Sequence, residues 1–196
     1  MRKLKLEMQV SLDGFAIDAA NEGGWTVWQW DDEWPWDQEL RDHHTELLRN
    51  SDTILLSRQM VEDGFIDHWD EMAGRPDNPQ HAFAKPISEM RKVIFSATIR
   101  HLDKPHCEFA RGDLVDEVMA RKNETGKDMM VYGGPTFVSS LMEAGLIDEV
   151  HLTVNPTALG RGVSPFQNLT HHVEMRPTLA RRFDCGVVLL AYDIAH

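Results

Sequence analysis

The sequence predicts an α/β domain with a mainly parallel central sheet and an antiparallel C-terminal edge. Short apolar segments with strand patterns alternate with amphipathic helical segments as far as about Gly145, and this alternation is typical of parallel sheets covered by helices. After that point two strand-like segments follow without a clear helix between them, which favours antiparallel pairing. The length of 196 residues fits a single domain, residues 1–196, with a core large enough to fold without a disulfide or a structural metal.

Six segments are predicted to be strands, because each is short, apolar and bounded by Gly, Pro, Asn, Ser or Asp. The first is the clearest: apolar residues at its even positions alternate with charged or polar residues at its odd positions, the pattern of a half-buried strand. It leads into an Asp13-Gly14 turn. The predicted strands are residues 4–10, 53–56, 92–95, 129–132, 150–154 and 187–192.

Four segments have helical periodicity, namely residues 38–49, 59–64, 113–122 and 136–144. The first has a regular stripe that includes Leu40, His44 and Leu47, so it is predicted to bury one face. Residues 72–86 hold three prolines together with Asp77 and Asn78. This stretch is therefore predicted to be a loop on the surface.

The chain is acidic, with 32 Asp and Glu residues against 20 Lys and Arg residues and a formal net charge of −12. A general nucleic-acid binder needs a basic face to neutralise phosphates, and no such face is obvious here. Residues 31–42 and 61–78 each hold six acids and one base. We expect both stretches to lie at the periphery, which would leave a locally positive face for an anionic ligand.

The cysteines and histidines predict neither a disulfide framework nor a metal site. The chain has two cysteines, Cys107 and Cys185, without a CxxC motif, so both are interpreted as free thiols in a reducing compartment. Adjacent histidines at positions 43–44 and 171–172 lack the i, i+4 spacing of a helical metal site. No apolar run approaches the roughly 18 residues of a membrane span, and these features together predict a cytoplasmic protein without a membrane partner.

The strongest local signal is an apolar strand that runs through Gly133 and Gly134 into a helix beginning with Pro135. Glycines let the backbone approach a ligand closely, proline suits the first helical position, and a helix N-terminus offers free N–H donors. These residues fit a pyrophosphate site. They fit equally a tight strand-to-helix turn that binds nothing.

Two further strands also end in polar residues. The second strand is followed by Ser57 and Arg58, and the third by Ser96, Ala97 and Thr98. Arginine binds phosphate with two hydrogen bonds, although a lone arginine is more often part of a surface ion pair. Because ligands collect at the carboxyl ends of parallel strands, the three strand ends together favour a nucleotide site.

Five of the six tryptophans lie between Trp25 and Trp36. Such a density of rings fits the wall of a pocket for a planar ligand, an interface, or a hydrophobic cluster that fastens a long loop to the body. Asp13, at the end of the first strand, has a carboxylate that can hold or protonate a heterocycle. The same residue before a glycine also fits a simple turn.

Seven segments occur in the order and at the spacings of one family. The chain resembles the dihydrofolate-reductase-like superfamily, specifically bacterial proteins similar to the C-terminal reductase domain of the bifunctional riboflavin-biosynthesis deaminase/reductase. The segments are Val-Ser-Leu-Asp-Gly-Phe at 10–15, Gly-Gly-Trp at 23–25 with Trp-Asp-Asp-Glu at 30–33, Leu-Leu-Ser-Arg at 55–58, Val-Ile-Phe-Ser-Ala-Thr at 93–98, Val-Tyr-Gly-Gly at 131–134, Gly-Leu-Ile-Asp-Glu-Val at 145–150 and Leu-Gly-Arg-Gly at 159–162.

The resemblance implies a three-layer α/β fold with a C-terminal β-hairpin, an NADPH site and a homodimer. It implies that one group of residues binds the cofactor: Ser57 and Arg58 at its phosphates, Ser96, Ala97 and Thr98 beside the adenosine 2′-phosphate, and Gly133, Gly134, Pro135, Thr136 and Phe137 at the pyrophosphate. It also implies that Asp13 faces the substrate heterocycle and that Trp25 and Thr26 form the neighbouring wall. Asp13 is thereby the predicted catalytic residue.

One position departs from the family pattern, because Ser57 stands where the family has glycine. Its Cβ would crowd a phosphate, or its hydroxyl would donate a further hydrogen bond. The leading hypothesis is an NADPH-dependent reductase that delivers hydride to a C=N or C=O bond of a small pterin- or pyrimidine-like heterocycle. The alternatives are a catalytically silent ligand-binding module on the same fold and a purely structural dimer.

Overall fold

A computed structural model describes residues 1–195 of the chain. Within these residues there are ten strands and six helices. In chain order they are β1 Leu4–Val10, β2 Ile17–Asp18, α1 Gln38–Arg49, β3 Ser51–Ser57, α2 Arg58–Glu62, α3 Phe65–Ala73, α4 His81–Glu89, β4 Arg91–Phe95, β5 Cys107–Phe109, α5 Leu114–Lys122, β6 Asp128–Val131, α6 Pro135–Glu143, β7 Glu149–Val154, β8 Gly162–Val163, β9 Met175–Arg182 and β10 Val188–Ile194.

Eight strands form one sheet in the order β5-β4-β3-β6-β1-β7-β10-β9, and β2 pairs with β8 separately. Strand β1 lies parallel to both of its neighbours, with Leu6 opposite Val131 on one side and Val150 on the other. Strand β3 is likewise parallel to β4 and β6. Strand β10 runs antiparallel to both β7 and β9, which confirms the predicted mainly parallel sheet with an antiparallel C-terminal edge.

The sheet separates two hydrophobic cores and so forms the middle layer of three. Even positions of β1, such as Leu4 and Leu6, pack with α5 and α6 in an aliphatic core. The other face packs with α1, α3 and α4 in an aromatic core, which contains the rings of Trp28, Trp34, Trp36, Trp69 and Phe83. Odd positions of β1 point towards this second core, because successive side chains of a strand alternate between its faces.

The loop predicted for residues 72–86 is wrong. This stretch contains the end of α3 and most of α4, although Pro86 lies inside α4. Phe83, Ala84 and Ile87 are buried in the aromatic core, and their burial outweighs the poor helix propensity of the prolines. Helix α3 was also missed, since the predicted helix over residues 59–64 corresponds to the short α2 that precedes it.

Strand β9 has no counterpart in the sequence-pattern prediction, although the family resemblance implies a C-terminal hairpin. It lies at the edge of the sheet and most of its residues are exposed, so it lacks the alternation that a half-buried strand shows. Cys107 and Cys185 carry free thiols. None of the helices within residues 1–195 has the length and apolar character needed to cross a lipid bilayer.

Candidate active site

The carboxyl ends of the central parallel strands open onto a cavity of about 860 Å³ on the aromatic face of the sheet. This volume is in the range of pockets that bind small molecules and cofactors, roughly 300–1,000 Å³. All ten residues predicted to bind the cofactor line the cavity, namely Ser57, Arg58, Ser96, Ala97, Thr98, Gly133, Gly134, Pro135, Thr136 and Phe137. The parallel strand order therefore brings the three strand ends together at one opening.

The turn between β6 and α6 presents backbone to this cavity. Gly134 precedes the helix without a capping side chain, and Pro135 is its first residue, so the N–H groups of the first turn are available to an anion. Neither Gly133 nor Gly134 has a positive φ. A Cβ at either position would meet other atoms no closer than 3.5 Å, so internal packing does not require glycine there. The missing side chains instead keep the space in front of the helix open.

Ser57 joins two of the strand ends. Its hydroxyl accepts hydrogen bonds from the backbone N–H of Met60 at 3.3 Å and of Gly134 at 3.4 Å. The first contact caps α2 and the second ties the end of β3 to the β6–α6 turn. The hydroxyl that replaces the family glycine thus organises the turn from within, and its distances to both donors are long for hydrogen bonds of this type.

Arg58 is engaged by a neighbour on its own helix. Its guanidinium lies 2.5 Å from the carboxylate of Glu62, and both side chains are substantially exposed. The charged residues among the described lining of the cavity are Glu7, Arg58 and Asp63. The expectation of a locally positive face is therefore wrong for the side chains, and the positive end of the α6 dipole supplies the remaining attraction for an anion.

The third strand end forms a compact polar turn. The Ser96 hydroxyl accepts hydrogen bonds from the backbone N–H of Ile99 at 2.8 Å and of Thr98 at 3.2 Å. Next to it, the rings of Phe95 and Phe137 lie with their centroids 5.1 Å apart. This contact packs the end of β4 against the first turn of α6, and so holds these two parts of the cavity wall together.

The structure places Asp13 outside the cavity lining. Its carboxylate accepts hydrogen bonds from the backbone N–H of Leu159 at 3.0 Å and of Gly160 at 2.6 Å, and from the Ser11 hydroxyl at 2.7 Å. These donors, with Leu159 contributing most, lower the pKa of Asp13 to about 2. Its carboxylate therefore fastens the loop around residue 160, and the geometry gives no support to the predicted catalytic role.

Trp25 and Thr26 line the cavity, as predicted. The Thr26 hydroxyl donates to the carbonyl of Trp28 at 3.0 Å, and Thr157 donates to the carbonyl of Trp25 at 3.2 Å. A buried side chain, Asn155, accepts from the N–H of Val27 at 2.7 Å. These bonds hold an irregular segment against the ends of β1 and β7.

The tryptophan-rich segment serves two of the predicted purposes at once. Trp28, Trp34 and Trp36 are nearly fully buried in the aromatic core, where Trp28 lies 5.1 Å from Trp34 and 4.8 Å from Trp36 between ring centroids. They fasten the segment to the body. Trp28 and Trp36 also line the cavity, together with Trp25 and Trp30.

A buried polar group at the inner end of the cavity was missed by the sequence reasoning. Glu7 is only 5% exposed, and its Oε1 lies 2.5 Å from Nδ1 of His44, a fully buried residue of α1. The second oxygen, Oε2, has no hydrogen-bond partner among residues 1–195. The Tyr132 hydroxyl is also buried without one; burial, with the nearby Glu7 carboxylate, raises its pKa well above the ordinary value of 10.

Aromatic rings line the same cavity as this carboxylate. We call this part of the cavity the inner chamber, and it comprises Glu7, Trp28, Trp36, Trp69, Phe83 and Tyr132. The indole Nε1 atoms of its three tryptophans are buried without hydrogen-bond partners in the described part of the chain. The sequence carries no clear signal for the buried carboxylate, because Glu7 lies at an odd position of β1, on the face that the alternation predicts to be exposed.

Comparison with known proteins agrees with this architecture. The protein YyaP of Bacillus subtilis, itself uncharacterized, is 27% identical over 193 residues, which are 97% of this chain and 94% of that protein. A solved structure from Shewanella sp. PV-4, provisionally named for riboflavin biosynthesis, superimposes with a TM-score of 0.70 at 18% identity and covers 99% of both chains.

A second solved structure is the Thermotoga maritima diaminohydroxyphosphoribosylaminopyrimidine deaminase/5-amino-6-(5-phosphoribosylamino)uracil reductase. It matches with a TM-score of 0.66 at 16% identity, over 99% of this chain and 57% of that one. These neighbours show a dihydrofolate-reductase-like fold. The family model of the RibD C-terminal domain matches residues 2–189. The chain therefore belongs to the RibD C-terminal domain family.

Proposed function

We propose that the protein is an NADPH-dependent reductase that transfers hydride to a small pterin- or pyrimidine-like heterocycle. The observation that carries the proposal is that one cavity joins two differently built ends. At one end are three polar strand ends and the N-terminus of α6. At the other end is the inner chamber, whose aromatic walls suit a planar ring. The reductase domains of this family, which use a nicotinamide cofactor, support the same assignment.

The residues at the first end fit such a cofactor. Gly133 and Gly134 leave room for a pyrophosphate against the free N–H groups of α6. Arg58 would bind a phosphate after leaving Glu62, and the turn formed by Ser96 and Thr98 would lie beside the adenosine ribose. A Cβ at either glycine would fit in ordinary van der Waals contact, so packing alone does not demand glycine there, and this observation favours a ligand over a simple turn.

The nicotinamide supplies the hydride when it is bound. The buried tryptophans of the inner chamber exclude water and hold the substrate ring flat, which turns hydride transfer into a reaction between positioned groups. We assign hydrogen-bond donation to Tyr132, since its raised pKa keeps its hydroxyl protonated at neutral pH. In this proposal the hydroxyl would stabilise charge that develops on a substrate oxygen or nitrogen.

The test is a titration with NADPH, followed by tryptophan fluorescence and by thermal unfolding. Binding should quench the fluorescence and raise the unfolding temperature, and Arg58→Ala should weaken it. Arg75→Ala is the matched control, because Arg75 forms a similar exposed pair with Glu71 outside the cavity. Absence of binding at millimolar NADPH would overturn the proposal.

A catalytically silent binding module is the second candidate, and the pairing of Arg58 with Glu62 is the observation that favours it. A panel of pterins, pyrimidines, quinones and flavins separates the two, with NADPH oxidation followed at its absorbance maximum. Oxidation in the presence of one class supports the reductase. Cofactor binding without oxidation across the panel supports the module.

We also propose that the chain forms a homodimer in the cytoplasm. The free thiols of Cys107 and Cys185 suit a reducing compartment, and the exposed edge strand β9 is a surface that a second copy can cover. Analytical ultracentrifugation tests the first part, since a species of 22.4 kDa at all concentrations would rule the dimer out.

A further inference from the structure

Glu7 in the inner chamber has no role in the fold that accounts for both of its oxygens. The side chain is 5% exposed, Oε1 lies 2.5 Å from Nδ1 of His44, and the Tyr132 hydroxyl lies beside the carboxylate. The other oxygen is buried and makes no hydrogen bond to any of residues 1–195. Burying a carboxylate oxygen without a donor costs several kcal/mol or more. A ligand that donates an N–H to Oε2 would recover this cost.

The surroundings of Oε2 limit what such a ligand looks like. The rings of Trp28, Trp69 and Phe83 form a continuous wall, with centroids 6.0 Å apart for the first pair and 5.0 Å for the second. Such a wall accepts a flat ring. Tyr132 follows Val131, which pairs with Leu6, so its hydroxyl and the Glu7 carboxylate lie side by side on neighbouring strands.

The hydroxyl and the three buried indole N–H groups are donors that also lack partners in the described residues. The chamber thus offers one strong acceptor and several donors. A ring that presents an N–H next to a carbonyl or ring nitrogen would satisfy both kinds of group. A ring without an N–H would leave Oε2 of Glu7 without a donor.

The inner chamber contains no cationic side chain among the described residues that line it. Among the described residues that line the whole cavity, the one cation is Arg58 at the cofactor end. A phosphate group on the substrate would meet no cationic side chain in the chamber and would face the Glu7 carboxylate, which repels it. Phosphate-bearing substrates are therefore disfavoured there.

We propose that Glu7 is the specificity-determining residue of the substrate site, and that it binds through Oε2 an N–H donor of a planar, phosphate-free heterocycle. This proposal rests on the proposed function for the location of the cofactor. The preference of Glu7 for a ring that carries an N–H can be measured independently of cofactor binding. The proposed ligand differs from the uracil compound in the name of the Thermotoga maritima relative, because that compound carries a phosphoribosyl group.

The experiment uses the full chain and isothermal titration calorimetry, with and without saturating NADPH. The probes are 2-amino-4-oxopyrimidine, which has N–H donors, and 1,3-dimethyluracil, which has none. We expect the wild-type protein to bind the first at least about tenfold more tightly, the lower end for a hydrogen bond to a charged group. Glu7→Gln should lose that preference, and Glu46→Gln, an exposed glutamate of α1, should keep it.

A second pair of probes, uridine and uridine 5′-monophosphate, tests the exclusion of phosphate. We expect the nucleoside to bind at least as tightly as the nucleotide when NADPH occupies the cofactor end. Equal binding of the two pyrimidines, or tighter binding of the nucleotide, would overturn the proposal in the wild-type protein alone, so the test does not depend on whether Glu7→Gln folds.

The outcome separates the two proposals. A preference for N–H donors without NADPH binding would support the role of Glu7 and overturn the proposed reductase function. NADPH binding without that preference would support the proposed reductase function and overturn the role of Glu7.

Discussion

Replacing Glu62 by Gln should tighten the binding of NADPH. In the structure the Arg58 guanidinium lies 2.5 Å from the Glu62 carboxylate, and it has to leave this partner to bind a phosphate. An exposed i, i+4 pair is worth roughly 0.3–0.5 kcal/mol, so removing it alone improves affinity about twofold. Removing a negative charge beside the phosphates adds a similar amount, and we expect a total gain of about two- to fivefold.

The measurement is a fluorescence titration at low and at high ionic strength. The gain should be largest at about 0.01 M salt and should shrink near 1 M, because the screening length falls from roughly 30 to 3 Å. Glu71→Gln is the matched control, since it removes the carboxylate of a similar exposed i, i+4 pair, with Arg75, and neither residue lines the cavity. Unchanged or weaker binding by Glu62→Gln at low salt would show that Arg58 does not bind the cofactor phosphates.

Three further predictions concern single residues. Ser57→Ala removes the hydroxyl that accepts from two backbone N–H groups and should cost about 1 kcal/mol, seen as a fall in unfolding temperature of roughly 2–4 °C; an unchanged temperature would argue against the capping role. Gly134→Ala adds one Cβ that would meet no atom closer than 3.6 Å and should cost the free protein no more than about 1 kcal/mol, while NADPH affinity falls at least about tenfold; retained affinity would place the cofactor elsewhere. Asp13→Asn should leave kcat within about threefold, because the carboxylate lies outside the cavity lining and holds a loop. Removing a general acid would instead lower kcat roughly 100-fold or more. It should also make the free energy of unfolding less dependent on pH in the acid range. A carboxyl whose pKa is lowered to about 2 from 3.8 stabilises the fold above its ordinary pKa and loses this effect as the pH falls towards 2. Urea unfolding at several acidic pH values is the measurement, and the same loss of stability in both proteins would contradict the account.

The sheet and its parallel core were predictable from sequence because their signal is local. Strand β1 alternates cleanly, and the glycine turn before α6 combines three independent features. Helix α4 was not predictable in the same way, since Pro86 argues against a helix and only the burial of Phe83 and Ile87 explains it. Burial of this kind depends on contacts far apart in the chain.

The site shows the same division. The residues of the proposed cofactor end could be predicted to lie together because they follow strands whose direction the pattern predicts. Glu7 was missed because a glutamate in an alternating strand is normally interpreted as solvent-exposed, and only the packing of α1 and the tryptophan-rich segment over that face makes it buried. Asp13 had a suggestive position, but two of its three hydrogen-bond donors, Leu159 and Gly160, come from a distant loop that the sequence alone does not bring to it.

Trp28 and Trp36 belong to the wall of the cavity and to the aromatic core at the same time. Truncating such a ring costs roughly 3–5 kcal/mol, a large share of the roughly 5–15 kcal/mol that holds a typical domain together. Substitutions that reshape this part of the cavity wall therefore also destabilise the fold, and most of them would not be tolerated. Divergence towards new substrates is left to the half-buried rim at Trp25 and Thr26, where a side chain can be exchanged without dismantling the core.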